Sequence, residues 1–499
     1  MALAIGGYAV AGNVAPATGG RYVEAFVGYP LYLNPLLAEP NTPDQDLSSL
    51  VFSGLTRVRA DGAIEGDLAA SWGVSLDGRT YSFSLRPDAR WHDGRAVTSE
   101  DVASTFAAIT HSEFRGNPDL VAQWRSVVVE AATGAVRIRL PEPDTLFLER
   151  ASIGIVPAAV ARSMRGDAGL TAETNRAPIG SGPFRVVTAD RDRIVLEAHA
   201  GYHGRAPYLA EFEARFVPTA ERALALTRSG EALSIAPILD DRLPDALPGL
   251  AVADLTLASE RAVLVFNTRR APIDEAPTRL ALANALDRAA IARAAGDGSA
   301  IGTAAQASDS SFAAAGWQRL ADGALTRNGA GLAVTITTSD RPSHRRAAEE
   351  VARQWNARGA QVEVQTTGWT GFVGDTLAKG AFQVALVRVR DGMVGREPHA
   401  LWGARGLLRI GGWGDDRADA LARAVTAAPG ETERTGARTA LDARLEAEAP
   451  IVTLYDGRAR YVTSRLATMT HPSVVRRLAD RFDSIADWRI FTRRVPGRF

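Results

Sequence analysis

The run from Ala333 to Val389 limits the fold more than any other stretch of the chain. It reads as strand AVTITTS, helix HRRAAEEVARQWNARG, strand AQVEVQTT, helix FVGDTLAKG and strand FQVALVRV, with Gly359 and Gly380 as helix stops. Strands that alternate with amphipathic helices call for right-handed crossovers and therefore a largely parallel sheet. A sheet of that kind takes its ligand in the crevice beyond the carboxyl ends of its strands. The fold class is thus α/β, and the loop that follows the third strand, Arg388 to Trp402, is where function is expected.

A second legible stretch is Ile64 to Ile109. Trp72, Val74 and Leu76 alternate with small or polar residues, Asp77-Gly78 supplies a tight turn, and Tyr81, Phe83 and Leu85 alternate again, which predicts a β-hairpin with one buried face. His92-Asp93-Gly94 makes another turn. Thr98 with Asp101 three residues on is a capping-box pattern ahead of Val102, Phe106 and Ile109, so a helix is predicted from near Ser99. Further strands are predicted over Trp124–Val129, Ala135–Leu140 and Phe184–Val187, and two more runs, LAVADLTLA and RAVLVFN, lie between Ala251 and Asn267. Pro277–Ala295 reads as one helix, and Ala418–Val425 and Glu431–Ala449 as two more.

A chain of 499 residues exceeds one ordinary core, which implies two or three domains. Fifty-seven basic residues balance fifty-seven acidic ones, so net charge calls for neither nucleic acid nor an anionic membrane as partner. The absence of cysteine excludes disulfides, thiolate metal sites and thiol nucleophiles. Residues 1–10, MALAIGGYAV, are apolar but too short to span a bilayer and have no basic lead-in, and an export segment is expected to be missing from the chain. His199 and His203 are four apart, but Gly201 and Gly204 argue against the helix a zinc pair needs. Gly180-Ser181-Gly182 runs into Pro183 where a phosphate loop needs a helix with Lys. No G-x-S-x-G elbow or H-E-x-x-H motif is present, and Glu349-Glu350 lies in a charged helix. Neither an enzyme nor a resident metal or cofactor is indicated.

Leu68-Ala69, Ser71-Trp72, Asp77-Gly78, Tyr81, Phe83, Leu85-Arg86, Trp91-His92-Asp93-Gly94, Thr98 and Asp101-Val102 occur in the order found in one family. Pro178–Phe184, Tyr202-x-Gly204, Pro207, Leu209, Val265–Thr268, Asp287-Arg288 and Ala449–Tyr455 add further matches. The chain resembles the family 5 extracellular solute-binding proteins, the peptide, nickel and opine receptors of ABC importers, from about Tyr22 to Asp487. The resemblance implies a two-lobed periplasmic-binding-protein-like fold, type II in its three-domain variant, with a hinge where strands cross near Ala258 and Val462. Domain I would comprise 20–46, 178–258 and 463–499, domain II the inserted 47–177, and domain III, the second lobe, 259–462.

The same resemblance implies the ligand set. The opening loop brings Tyr29, Leu33 and Asn34, the crossing into the second lobe Asn267, the loop after the third strand Arg388, Asp391, Glu397 and Trp402, and later segments Trp413 and Tyr455. From the residues alone, Asn267 is as readily a turn asparagine, and Trp402 and Trp413 as readily core. Peptide-binding members carry a D-x-x-D-P context that pairs with the ligand amine; Glu397-Pro398 stands here instead, with Asp391 as a substitute. The implied function is capture of peptides or similar polar solutes by hinge closure, outside the cytoplasm, by a monomer that delivers to ABC permease subunits. A metal-chelate, opine or sugar receptor is the alternative, and a hydrolase a more distant one.

Overall fold

The computed structural model describes residues 13–39, 42–116, 118–171, 173–238, 243, 247–300, 309–390, 406–428, 430–465, 469–490 and 492–495. Among them a 12-stranded sheet runs through the molecule in the order Gln361–Thr367, Ala333–Ser339, Val384–Arg390, Leu250–Phe266, Ile451–Ser464, Ser234–Ile238, Arg21–Val27, Glu211–Val217, Arg193–Ala198, Phe184–Ala189, with two short strands paired off this path. At one end Ala333–Ser339 lies parallel to both Gln361–Thr367 and Val384–Arg390, as the strand and helix alternation predicts. At the other, Arg21–Val27 lies parallel to Glu211–Val217 and Ser234–Ile238.

The two parallel regions are joined by one antiparallel pair, Leu250–Phe266 with Ile451–Ser464, of 17 and 14 residues. Its register runs from Leu250↔Ser464 to Leu257↔Gly457 and resumes at Arg261↔Asp456, so Ala258, Ser259 and Glu260 form a bulge that bends the strand. The two separate runs read from the sequence are therefore one strand, and the polar residues between them mark its bend. Core ownership changes at the same point. Leu255 and Leu257 pack with Tyr22, Phe212 and Tyr461, whereas Ala262, Leu264 and Phe266 pack with Trp355, Leu386 and Leu454. On the partner strand the crossing falls at Asp456-Gly457 rather than at Val462, which is buried inside the first lobe beside Ile235.

A separate four-stranded antiparallel sheet holds Ala69–Val74, Thr80–Leu85, Ala135–Arg139 and Val128–Ala132. Tyr81 and Phe83 are buried as expected, but Val74 and Leu76 are exposed, because Ala69–Val74 is the sheet edge and little covers its end. Helix Ser99–Thr110 begins with the predicted capping box between Thr98 and Asp101. Two expectations give way to tertiary packing. Trp124 ends the helix Pro118–Trp124, its ring stacked 3.8 Å from Phe106, and the strand starts only at Val128. Pro277–Ala295 is split into Ala276–Asn284 and Arg288–Ala295 at Asp287, whose carboxylate accepts the Ala290 N–H at 3.0 Å and whose own N–H donates to Gln354 at 2.7 Å.

The first lobe is fastened by two polar devices. Arg481, fully buried, donates to Glu24 at 2.6 Å and to Asp46 at 2.7 Å, tying the central strand, the helix Pro43–Val51 and the C-terminal turns together. The loop Pro178–Pro183 lies against the end of that helix. A Cβ on Gly180 would sit 1.9 Å from the Val51 carbonyl oxygen, which is why glycine is needed there. His92 clamps this loop, its Nδ1 accepting the Gly180 N–H at 3.1 Å and its Nε2–H donating to the Gly182 carbonyl at 3.2 Å. Burial pushes the imidazole down to about 4.

Because the unfolded chain takes up a proton near pH 6.5 and folded His92 does not until about pH 4, this contribution is complete above 6.5 and is lost as pH falls towards 4. At about 1.4 kcal/mol per pH unit of displacement the loss approaches about 3 kcal/mol. Thermal melts of the wild type and His92→Gln from pH 8 to 4 should converge as pH falls; a constant gap would remove His92 from the pH response.

Candidate ligand cleft

Strand polarity locates the cleft. In the first lobe the carboxyl ends of Arg21–Val27 and Ser234–Ile238 point along the crossing strand towards the second lobe, and Ile238 comes level with Arg460. In the second lobe Val384–Arg390 runs the opposite way, bringing Arg390 level with Glu260. Two sets of strand ends therefore face each other across the bulge, and loops leaving them form the two walls.

Its floor is a buried polar cluster. Arg388 ends the third predicted strand, and its guanidinium reaches Asp297 at 2.8 Å and Glu260 at 3.6 Å. Asp297 follows the helix Arg288–Ala295 and precedes Gly298–Ala300, a short strand paired with Gly457, Asp456 and Tyr455. Gly298 has no room for a side chain, since a Cβ there would lie 2.5 Å from the Tyr455 ring. Burial raises the Asp297 carboxyl above the usual range while Arg388 opposes the rise. Burial also raises the Tyr455 hydroxyl. Beside them Ser339 and His344 share a hydrogen bond of 2.7 Å, and burial, reinforced by Arg388 and Arg341, pushes the imidazole down to about 3 and keeps it neutral. The Tyr455 hydroxyl stands against the Arg388 guanidinium, and Asp297 is held by Arg388 and Ser343, so the cluster pairs within itself.

Exposed aromatic side chains follow strand ends in both lobes. Trp369 follows the strand Gln361–Thr367, is 46% exposed, and has the Arg341 guanidinium 4.5 Å over its ring. Opposite in polarity, beyond Arg21–Val27, stand Tyr29, 49% exposed with its ring 6.3 Å from Phe216, and Leu31, 73% exposed. Trp369, Arg341 and Asp297 were missed in the sequence. Trp369 and Arg341 could have been found, because the rule that points beyond the third strand points equally beyond the first two.

Of the ten residues expected at the ligand, Arg388 and Tyr455 stand together in the buried cluster and Tyr29 is exposed beyond the end of Arg21–Val27. Leu33 and Asn34 are instead buried in the first lobe, where the Asn34 amide donates to Asn175 at 3.0 Å and its carbonyl accepts the Leu36 N–H at 3.0 Å. Asn267 is buried too, donating to the carbonyls of Gly380 and Phe382 at 3.1 and 2.9 Å, and so ties a turn rather than facing solute. Trp413 packs with Phe372, Phe382 and Leu408 in a core. Asp391, Glu397 and Trp402 lie outside the described residues. His203 pairs with Asp67 at 2.7 Å and His199 stands edge-on to His92, two loop roles.

A sheet continuous through two lobes, with opposed strand ends over a bent two-strand crossing, defines the two-lobed solute-binding proteins as a class. Within that class, residues 63–398 match the profile of the bacterial extracellular solute-binding proteins, family 5, middle region, and the chain belongs to that family. It is 24% identical to the oligopeptide-binding protein AppA of Bacillus subtilis over 389 residues, 72% of this chain and 71% of that one. It is 25% identical to the dipeptide-binding protein of Escherichia coli over 352 residues, 60% of this chain and 63% of that one. The fold superposes on the Bacillus protein in complex with a nonapeptide with a TM-score of 0.68 at 20% identity, covering 95% of this chain and all (100%) of the other. It also superposes on Campylobacter jejuni NikZ in complex with Ni(L-His), with a TM-score of 0.70 at 18% identity over 94% and 99% of the chains.

Removing the cation from the floor leaves Asp297 buried beside Glu260. Arg388→Met is expected to lower stability by about 3–5 kcal/mol, the usual cost of breaking a buried pair. Adding Asp297→Asn should recover part of that loss in urea melts, whereas additive losses would mean that the two side chains are not coupled.

Proposed function

We propose that this chain is the extracytoplasmic solute-capture component of an ABC importer and that it closes its lobes on a peptide or a similarly polar small solute. The observation that carries this reading is the facing of two sets of strand ends across the bent crossing, with the buried cluster of Arg388, Asp297 and Glu260 beside the bend. A peptide backbone offers donors and acceptors in alternation, and side chains would lie against Trp369 and Tyr29. Closure is an equilibrium, and only a solute that touches both lobes displaces it. Domains I and II are taken as 20–46 with 178–258 and the segment from Gly457 on, and 47–177, and domain III as 259–456, its end moved from the expected 462 to the crossing. The inserted domain would then act as scaffold, and permease subunits in the membrane would receive the closed monomer. The oligopeptide-binding and dipeptide-binding names of the relatives support the peptide reading. The nickel chelate in the Campylobacter neighbour is the observation that keeps a chelate receptor as the second one.

Native mass spectrometry of the protein as purified should show a retained solute of peptide mass. Adding that solute at a hundredfold excess over Kd should stabilise the fold by about 2.7 kcal/mol, read as a rise in Tm. Trp369→Ala should weaken binding roughly tenfold, the scale of an aromatic contact carrying about 1–2 kcal/mol, and Asp391→Ala should weaken an amine-bearing ligand further. A peptide library that leaves Tm unmoved and a histidine-chelated nickel that raises it would favour the second reading. Turnover of any peptide or glycoside would replace both with an enzyme.

A further inference from the structure

The first lobe contains another cavity, of about 550 Å³, between the helix Pro43–Val51 and the turns Leu478–Asp487 on one side and residues 52–59, 65–67 and 202–205 on the other. None of its wall comes from residues between Arg205 and Arg477, so the second lobe and the crossing strands take no part in it. Its volume suits a small-molecule ligand. Most of the charges around it pair among themselves: Arg57 and Arg59 with Glu65 at 2.8 and 3.1 Å, Arg205 with Asp487 at 2.5 Å, and Arg477 with Asp480 at 3.2 Å.

Two groups on the wall do not fit that pattern. Arg86 spends its Nε on the Asp67 carbonyl at 2.7 Å and is paired with no carboxylate among the described residues. His203, its side chain 2% exposed, uses Nε2 on Asp67 at 2.7 Å and keeps a buried Nδ1 without a partner. Tyr202 also lies on this wall, with Arg57, Arg86 and Asp67 as its charged neighbours; the lining carries five arginines and five carboxylates in all, so among the described residues a free cation there is Arg86's alone. Ser48, Ser49 and Ser53 lie on the same wall, the Ser49 hydroxyl donating to the Asp46 carbonyl at 2.7 Å and Ser53 bonded to Tyr202.

We infer that this cavity is a second solute site, separate from the cleft, for a small hydroxylated carboxylate. The Arg86 fork takes the carboxylate in the planar two-bond geometry that suits guanidinium. A ligand hydroxyl donates to His203 Nδ1, which the Asp67 bond to Nε2–H leaves as an acceptor. Occupancy fastens the first lobe without sensing the hinge.

Isothermal titration of the whole chain with D-gluconate at low ionic strength tests this. One saturable site per chain is expected, weakened at least tenfold by Arg86→Gln and abolished by Ser49→Phe, which fills the void and leaves the charges in place. Both variants should keep the wild-type affinity for the solute of the cleft, and that solute should not compete with gluconate. The inference is overturned if gluconate shows no saturable binding or if both variants bind it as the wild type does. It is also overturned if Trp369→Ala abolishes gluconate binding, since the anion would then sit in the cleft. Saturable gluconate binding with no cleft solute found would leave this site standing and remove the transport reading.

Discussion

The structure depends on one hydrogen-bonded ladder, between Leu250–Phe266 and Ile451–Ser464. Every strand of the first lobe's sheet reaches the second lobe only through it, and the hydrophobic cores on either side share no residue of the crossing strand. A ladder resists sliding, because a slip of one residue would turn buried Leu255, Leu257, Leu264 and Phe266 to the wrong face. It resists bending far less where its pairing is interrupted. The interruption at Ala258–Glu260 is therefore where the crossing is least held by its ladder.

That place is also where charge is buried. Glu260 sits in the bulge with no exposure, and Arg388 and Asp297 converge on it from the second lobe. Burying such groups costs several kcal/mol each unless they are paired, and apolar replacements of similar size are often as stable. Stability alone is therefore a weak reason for the cluster. A function that requires a polar floor beside the bend is a stronger one. The first lobe follows the same logic with a different outcome: Arg481 pairs with both Glu24 and Asp46 far from the crossing, and its role is to hold three segments in register.

Much of this was legible in the chain where a local rule and the tertiary structure agree. The alternation over Ala333–Val389 gave the parallel second-lobe sheet, and Thr98 with Asp101 marked a helix start to the residue. Where the two disagree, the sequence misleads for physical reasons. The bent crossing strand looked like two because its bulge carries Ser259 and Glu260, and the partner that makes Glu260 tolerable, Arg388, lies far along the chain. Asn34 and Asn267 have the composition of ligand contacts, but an asparagine that satisfies buried carbonyls looks the same in one dimension. Trp369 carries no local signal of its own; only strand polarity, which makes all three carboxyl ends equivalent, marks its loop.

Lobe closure about the bulge can be measured directly because the chain has no cysteine of its own. Leu31→Cys on the first-lobe wall and Val373→Cys on the second, both exposed, provide two sites for spin labels. Pulsed electron resonance on the doubly labelled protein should show a broad distance distribution that shortens and narrows when the solute released from the purified protein is added back. A distribution unchanged by saturating solute would contradict closure about Ala258–Glu260.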